Sequence, residues 1–124
     1  MDETTSPLFR QIAELVEDSV VDGSLREGDR APSTNELAAF HGINPATARK
    51  GLTLLAERGV LAKRRGLGMF VEDGARARIT ARRREAFAAD YLAPLVDEAI
   101  KLDLPRDDVH RLIDQVAESR GLYS

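Results

Sequence analysis

The chain has 124 residues, a formal net charge of −3 and 43% apolar residues, which is typical of one small folded domain with a short appendage. It contains no cysteine, and this excludes a disulfide framework, a thiol nucleophile and a cysteine-based zinc site. Its first residues lack the basic and apolar runs of a targeting segment, so we expect a cytoplasmic protein without a membrane span, a metal or a cofactor.

Charge is distributed unevenly along the chain. Residues 1–48 have a balance of −6, residues 49–84 a balance of +8, and residues 85–124 a balance of −5. A basic middle section between acidic ends is typical of a protein that presents one face to DNA. Chance clustering on solvated faces gives the same pattern, so charge alone does not identify a partner.

The first predicted helix begins near residue 7. Ser6 is expected as its N-cap and Pro7 as its first helical residue, where the missing proline N–H leaves no hydrogen bond unmade. Apolar side chains continue at helical spacing to Val20, and Asp22-Gly23 ends the helix. The loop that follows contains at most a short strand near residues 29–31.

A tight turn joins the second and third predicted helices. Ser33 and Glu36 have the spacing of a capping box at the start of the second helix, and Gly42 provides its left-handed exit. Asn44 is expected to cap the third helix, with Pro45 at its first position. Because so short a connection makes the two helices cross steeply, the pair is predicted to be a helix-turn-helix.

The third helix has a buried face and an exposed face. Helical spacing predicts that the buried face holds Ala48, Leu52 and Leu55. The opposite face is small and polar at its start, and it holds Ala46, Arg49, Lys50 and Thr53. Such a face can enter the major groove of DNA, although a plain solvated helix has a similar composition.

A basic hairpin is predicted after the third helix. Two β-rich runs, residues 60–65 and 69–73, flank a turn that contains Gly66 and Gly68. The rising run is basic and contains Lys63, Arg64 and Arg65. A hairpin of this kind is expected to be a wing that lies along the minor groove and the phosphates.

Together these motifs resemble the DNA-binding domain of the GntR family of bacterial transcription regulators, over residues 7–73. The motifs that carry the resemblance are Pro7-Leu8-Phe9, Gln11-Ile12, Gly28-Asp29-Arg30, Pro32-Ser33, Glu36-Leu37-Ala38, Asn44-Pro45, Thr47-Ala48-Arg49, Leu52, Leu55, Gly59-Val60-Leu61, Gly66, Gly68 and Phe70-Val71. The short tail makes the chain most similar to the YtrA-like subfamily. The resemblance implies a mainly α fold with a small β-hairpin: a winged helix-turn-helix domain in residues 1–74 and a two-helix dimerisation tail in residues 75–124.

The resemblance also implies roles for individual residues. Ser33 would bind a phosphate, Asn44, Thr47 and Arg49 would contact the groove, and Gly66 would form the wing tip. The family usually has arginine where this chain has Asn35, so we expect the base read there to differ or the contact to be lost. The predicted DNA-binding residues are Ser33, Asn35, Asn44, Ala46, Thr47, Arg49, Lys50, Thr53, Lys63, Arg64, Arg65 and Gly66.

Two helices are predicted in the tail. One extends from Thr80 to Leu104, and Pro94 is expected to kink it near Ala93 or to break it. The other begins after Pro105. Their apolar side chains are the predicted dimerisation residues, Phe87, Tyr91, Leu92, Leu95, Val96, Ile100, Val109, Leu112, Ile113 and Val116. Dimerisation would cover these faces, and the alternative is that the tail packs against its own winged helix.

Five arginines at the start of the tail have two interpretations. They are Arg76, Arg78, Arg82, Arg83 and Arg84. They lie at or before the N-terminal end of the predicted helix, where the positive end of the helix dipole disfavours positive charge. A bound phosphate would offset this repulsion, so phosphate is one candidate partner. A solvated basic linker is the other interpretation.

No enzyme is predicted, because His41 and His110 are on different elements and no nucleophile, base and oxyanion donors cluster in the sequence. Few aromatic residues are available to stack RNA bases. We expect a homodimeric DNA-binding regulator of a pseudo-palindromic operator in double-stranded DNA. The resemblance implies that it is a repressor, in a bacterial operon that is autoregulated and linked to a transporter. The alternative is a winged-helix protein-interaction module. A small-molecule effector, if one exists, would bind at the dimer interface or between tail and winged helix.

Overall fold

The computed structural model describes residues 7–122 of the chain. In chain order the elements are α1 (Leu8–Val21), α2 (Thr34–His41), α3 (Pro45–Glu57), β1 (Leu61–Arg64), β2 (Gly68–Val71), α4 (Ala75–Phe87), a π-helical segment (Ala88–Leu92), α5 (Ala93–Lys101) and α6 (Arg106–Arg120). The chain divides into two compact units, and the division falls inside α4, between Arg83 and Arg84. This composition is the mainly α fold with a β-hairpin that the sequence predicts.

The first unit has one apolar core. Ile12, Val16 and Val20 recur at helical spacing on α1 and are buried against α3. Gly51 allows this close packing, because a Cβ at that position would lie 3.0 Å from the carbonyl oxygen of Phe9. The predicted buried face of α3 is confirmed, since Ala48, Leu52 and Leu55 all lie in the core.

The helix caps follow the sequence except at the first helix. The predicted N-cap Ser6 lies outside the described residues, and Pro7, predicted inside α1, is instead its N-cap, with its carbonyl accepting from the N–H of Arg10 at 3.1 Å. Asn44 caps α3 as predicted, because its Oδ1 accepts from the N–H of Ala46 at 2.8 Å. Gly42 has φ 63° at the end of α2, the left-handed conformation that the turn requires.

The wing is an antiparallel pair of strands with a third segment at its edge. β1 pairs with β2 in a register that places Leu61 opposite Val71. The loop before α2 adds a bridge from Arg30 to Phe70, and the N–H of Ala31 donates to the carbonyl of Met69 at 2.8 Å. The segment that was expected to contain at most a short strand therefore forms an isolated β-bridge at Arg30, and this bridge joins the wing to the segment before α2.

The fourth helix begins five residues earlier than the sequence predicts. It starts at Ala75, not at Thr80, because Ala75 and Ile79 are fully buried in the core of the first unit. The N–H of Gly74 donates to the carboxylate of Glu27 just before the helix. The sequence of α4 has only a weakly amphipathic pattern. The start of the helix is therefore stabilised by these buried contacts and by the hydrogen bond to Glu27.

The second unit consists of the end of α4, the π-helical segment, α5 and α6. Pro94 lies at the start of α5 and cannot donate to the carbonyl of Asp90. The predicted irregularity therefore takes the form of a π-helical stretch before Pro94. Within the described residues, no helix is long and apolar enough to cross a membrane.

Candidate nucleic-acid interface

A groove of about 320 Å³ lies between the start of α2, α3 and the wing. Three of the predicted DNA-binding residues, Ser33, Asn35 and Arg49, line it together. The remaining lining residues are Arg30, Ala31, Thr34, Leu52, Gly68 and Met69. Every polar side chain in this lining can donate a hydrogen bond and none is a carboxylate, so the groove is complementary to an anion.

Ser33 and Glu36 form the predicted capping box. The backbone N–H of Glu36 donates to Oγ of Ser33 at 3.1 Å, and the backbone N–H of Ser33 donates to Oε1 of Glu36 at 3.1 Å. The second bond, from the Ser33 backbone, is the main cause of a lowered pKa for the Glu36 carboxyl. Because Oγ of Ser33 serves as the acceptor, its O–H is left to donate into the groove.

The exposed face of α3 has the composition that the sequence predicts. Ala46, Arg49, Lys50 and Thr53 are exposed, and Thr47 is half-buried. The Asn44 side chain is exposed as well, and its amide NH₂ remains available while its oxygen caps the helix. A helix start with small side chains can approach the floor of a major groove closely.

Two of the predicted cationic residues rest on aromatic rings. Nζ of Lys50 lies 4.2 Å from the centre of the Phe9 ring on α1, and the guanidinium of Arg64 lies 4.3 Å from the centre of the Phe70 ring on β2. Such contacts restrict a long side chain while its charge stays exposed. Lys50 is therefore held on the α1 side, whereas Arg49 lines the groove.

The wing presents its basic side chains to solvent. Lys63, Arg64 and Arg65 are exposed on β1 and the turn after it. Gly66 at the tip has φ 77°, a conformation that residues with a side chain rarely adopt. The structure thus places all twelve predicted DNA-binding residues in the first unit, three of them in the groove and the others on α3 and the wing.

Four of the five arginines at the start of the tail have partners inside the protein. Nε of Arg76 donates to the carbonyl of Val21 at 3.1 Å, and Nη1 of Arg78 donates to the carbonyls of Gly59 and Asp73 at 2.9 and 3.0 Å. Arg82 and Arg83 contact acidic residues of α1. These bonds explain the four arginines without a phosphate.

Glu17 is the acidic centre of this arrangement. It is fully buried on α1, and its carboxylate pairs with Arg58 at 3.3 Å, with Arg83 at 3.8 Å and, more closely, with Arg82. A buried carboxylate requires such partners because its desolvation is costly. The cluster joins α1, the end of α3 and α4 within the first unit.

Arg30 is a cationic residue of the groove that is not among the predicted DNA-binding residues. It belongs to the acidic first third of the chain, so the charge pattern gives no signal for it. The predicted short strand was the available clue, because pairing with the hairpin places Arg30 beside Gly68, with Nε 3.2 Å from where a Cβ on Gly68 would stand.

The predicted dimerisation residues lie in the second unit, and most of them are exposed. Nine of the ten have exposed fractions between 38% and 68%, while Val109 is half-buried. A groove of about 590 Å³ lies between α5 and α6, and its apolar lining includes Leu95, Val96 and Ile100. Within the part of the chain that the structure describes, no cluster of His, Asp or Glu residues could hold a metal ion.

Comparisons with known proteins agree on one family. Residues 8–71 match the model of the bacterial regulatory proteins of the gntR family. The chain is 23% identical over 114 residues to the HTH-type transcriptional repressor YtrA of Bacillus subtilis, covering 92% of this chain and 87% of YtrA. It is 33% identical over 67 residues to the mannosyl-D-glycerate transport/metabolism system repressor MngR of Escherichia coli, covering 54% of this chain but only 28% of MngR. These relatives are transcription regulators, not enzymes.

Solved structures show the same fold. A GntR-family regulator from Bacteroides thetaiotaomicron aligns with a TM-score of 0.71 at 24% identity, over 92% of this chain and 99% of that one. BusR of Streptococcus agalactiae, solved with its busAB-promoter DNA, aligns with a TM-score of 0.62 at 21% identity, over 95% of this chain and 54% of that one. At these identities the likeness establishes the winged-helix fold.

Proposed function

The chain belongs to the gntR family of bacterial regulatory proteins, and from that membership we propose that it is a homodimeric transcriptional repressor of a pseudo-palindromic operator. Members of the family are transcriptional regulators, generally repressors that bind DNA. The observation that carries the proposal is the position of Arg49, which lines a carboxylate-free groove at the start of an exposed, small and polar helix face. The basic wing lies on the same unit.

The proposed mode of binding has three parts. α3 enters the major groove with Ala46 and Thr47 at its narrow start, and Arg49 contacts a base edge or a phosphate there. Ser33 donates to a phosphate from the start of α2. The wing lies along the adjacent backbone with Lys63 and its basic neighbours.

Dimerisation is the second part of the proposal. Exposed apolar side chains on α5 and α6 flank a groove of about 590 Å³, and a second copy of the same two helices would fill it and cover them. A two-fold dimer presents two recognition helices, which is why we propose an operator with two related half-sites.

We further propose that the operator lies upstream of the protein's own gene, in an operon that also encodes a transporter. The name of MngR states that this relative represses a transport and metabolism system. The site of action is the cytoplasm, where bacterial DNA is found.

The proposal is tested by binding of a fragment upstream of the protein's own gene. We expect the wild-type protein to bind this fragment more tightly than an unrelated duplex of equal length, and Arg49→Ala to lower the affinity for the fragment by about 10-fold to 100-fold. Fluorescence anisotropy with labelled fragments measures both affinities.

Arg26→Ala is the matched control, since Arg26 is an exposed arginine of the same unit that does not line the groove. Equal affinity of the wild-type protein for both DNAs would contradict an operator-specific regulator. Failure to bind either DNA would instead support the alternative, a winged-helix protein-interaction module.

A further inference from the structure

We propose that Arg30 is a DNA phosphate-binding residue and that it acts together with Arg49, which lines the same groove. This inference rests on the proposed DNA-binding function and adds to it a contact from outside the helix-turn-helix and the hairpin. Arg30 and Arg49 are the two cationic residues in the lining of this groove.

The backbone around Arg30 is held firmly against the wing. Arg30 forms a bridge with Phe70, and on either side the N–H of Ala31 donates to Met69 at 2.8 Å while the carbonyl of Asp29 accepts from Val71 at 2.9 Å. A side chain that starts from a backbone fixed in this way loses less conformational freedom when it binds a ligand.

The Arg30 side chain has room because its neighbour is a glycine. Its Nε lies 3.2 Å from the place where a Cβ on Gly68 would stand, so any side chain at position 68 would push the guanidinium aside. Gly68 has φ 108°, a conformation that favours glycine. The same missing side chain lets the backbone of a duplex approach this edge of the wing.

Arg30 differs from the arginines that serve the fold. Arg58, Arg82 and Arg83 each form an ion pair with buried Glu17. Among the described residues, Arg30 forms no ion pair with a carboxylate within 4.0 Å, and its side chain is exposed. After the two hydrogen bonds with Ser33, the Arg30 guanidinium is a further cause of the lowered pKa of the Glu36 carboxyl. Its positive charge therefore acts on a carboxylate of the fold, but without a direct ion pair.

The surroundings of Arg30 favour a phosphate as the ligand. The hydroxyls of Ser33 and Thr34 line the same groove, and no lining residue is acidic. Two guanidinium groups and two hydroxyls give a set of donors around one concave surface, which matches the oxygens of a DNA phosphate. Asn35 also lines the groove, but its side-chain amide carries no charge. The positive charge in the lining therefore comes from Arg30 and Arg49.

The test is the salt dependence of DNA binding by full-length Arg30→Gln. A phosphate contact contributes about 0.9 to the slope of log Kobs against log salt, so we expect the slope to fall by about 0.9 for each chain bound. At about 0.15 M salt the affinity should fall by roughly tenfold. Both effects should be equal on the upstream fragment and on an unrelated duplex.

Two further variants sharpen the test. Arg26→Gln removes an equal charge from the same loop outside the groove and should leave the slope unchanged. Arg30→Lys should retain most of the slope, because lysine can still place a positive charge beside a phosphate. A bidentate contact with a base would instead be lost, because lysine lacks the planar guanidinium group. Thermal unfolding followed by circular dichroism checks that the variants fold, and Arg30→Ala provides a second truncation if Arg30→Gln has a lowered Tm.

Three outcomes overturn the inference. An unchanged slope for Arg30→Gln excludes a phosphate contact, and a loss confined to the upstream fragment assigns Arg30 to base reading instead. If the wild-type protein binds neither DNA, the proposed function fails and this inference fails with it. If the wild-type protein binds and only the Arg30 result is negative, the proposed function stands without this contact.

Discussion

At the scale of single residues, Glu17 shows how this chain uses its arginines. The carboxylate is fully buried and is surrounded by three guanidinium groups, one from the C-cap of α3 and two from α4. Removal of a buried charge leaves its partners uncompensated, and these partners are only partly exposed. Removal of Glu17 alone is therefore expected to destabilise the first unit. The cluster also provides Arg82 and Arg83 with a partner other than the phosphate that the sequence suggested.

We predict that Glu17→Gln lowers the free energy of unfolding by about 2–4 kcal/mol, because the amide cannot compensate the three positive charges. Urea unfolding followed by circular dichroism measures the change. Glu14→Gln is the control, since Glu14 is exposed on the same helix and should change stability by less than about 0.5 kcal/mol. A loss for Glu17→Gln no larger than that of the control would show that the ion pairs are energetically neutral.

At the scale of elements, the wing combines a glycine tip with exposed cations, one of which is restricted by an aromatic ring. Arg64 rests on the ring of Phe70 and Arg65 follows it at the turn. Neither lines the groove that contains Arg49. In the proposed mode of binding, the wing therefore contacts the DNA backbone, which is the same for every sequence.

We predict that Arg64→Ala combined with Arg65→Ala weakens binding to all DNA sequences and reduces the slope of log Kobs against log salt by up to about 1.8 per chain, for two phosphate contacts. Anisotropy titrations over a range of salt concentrations measure the slope. The ratio of affinities for the upstream fragment and an unrelated duplex should stay constant. A slope equal to that of the wild-type protein would exclude wing contacts with phosphates.

The elements also show what the sequence can and cannot predict. The capping box at Ser33, the cap at Asn44 and the exit at Gly42 are local signals, and each is confirmed because its partners lie within a few residues. The placement of Pro7 inside α1 was wrong by one position, an ordinary error at a helix end.

Contacts between residues that are far apart in the sequence could not be predicted from local sequence patterns. The start of α4 at Ala75 depends on burial in the core of the first unit, and Arg82 reaches Glu17 across 65 positions of sequence. Arg30 joins the candidate site only because its segment pairs with the hairpin. Helical spacing and the resemblance to the family predicted the residues on α3, and the resemblance also predicted two further groove residues, Ser33 and Asn35. Only the fold shows that Arg30 lines the same groove.

At the scale of the whole molecule, the proposal requires two chains for one operator. In the second unit, Leu92, Val96 and Ile100 are exposed, and the exposed fraction of Val96 is 51%. Val96 and Ile100 line the groove between α5 and α6. Linking two DNA-binding units makes the second contact intramolecular, and this raises the affinity by two to four orders of magnitude. Loss of the dimer should therefore remove operator binding even though the first unit is unchanged.

Hydroxyl-radical footprinting of the DNA upstream of the protein's own gene tests this account most directly. We predict that the wild-type protein protects two half-sites related by a dyad, about 10 bp or a multiple of that apart. Val96→Glu should lose both footprints together at the same concentration, while Lys101→Glu, a charge change on the polar side of α5, should retain them. A single asymmetric footprint, uniform protection, or two footprints with Val96→Glu would contradict a dimeric, operator-specific repressor.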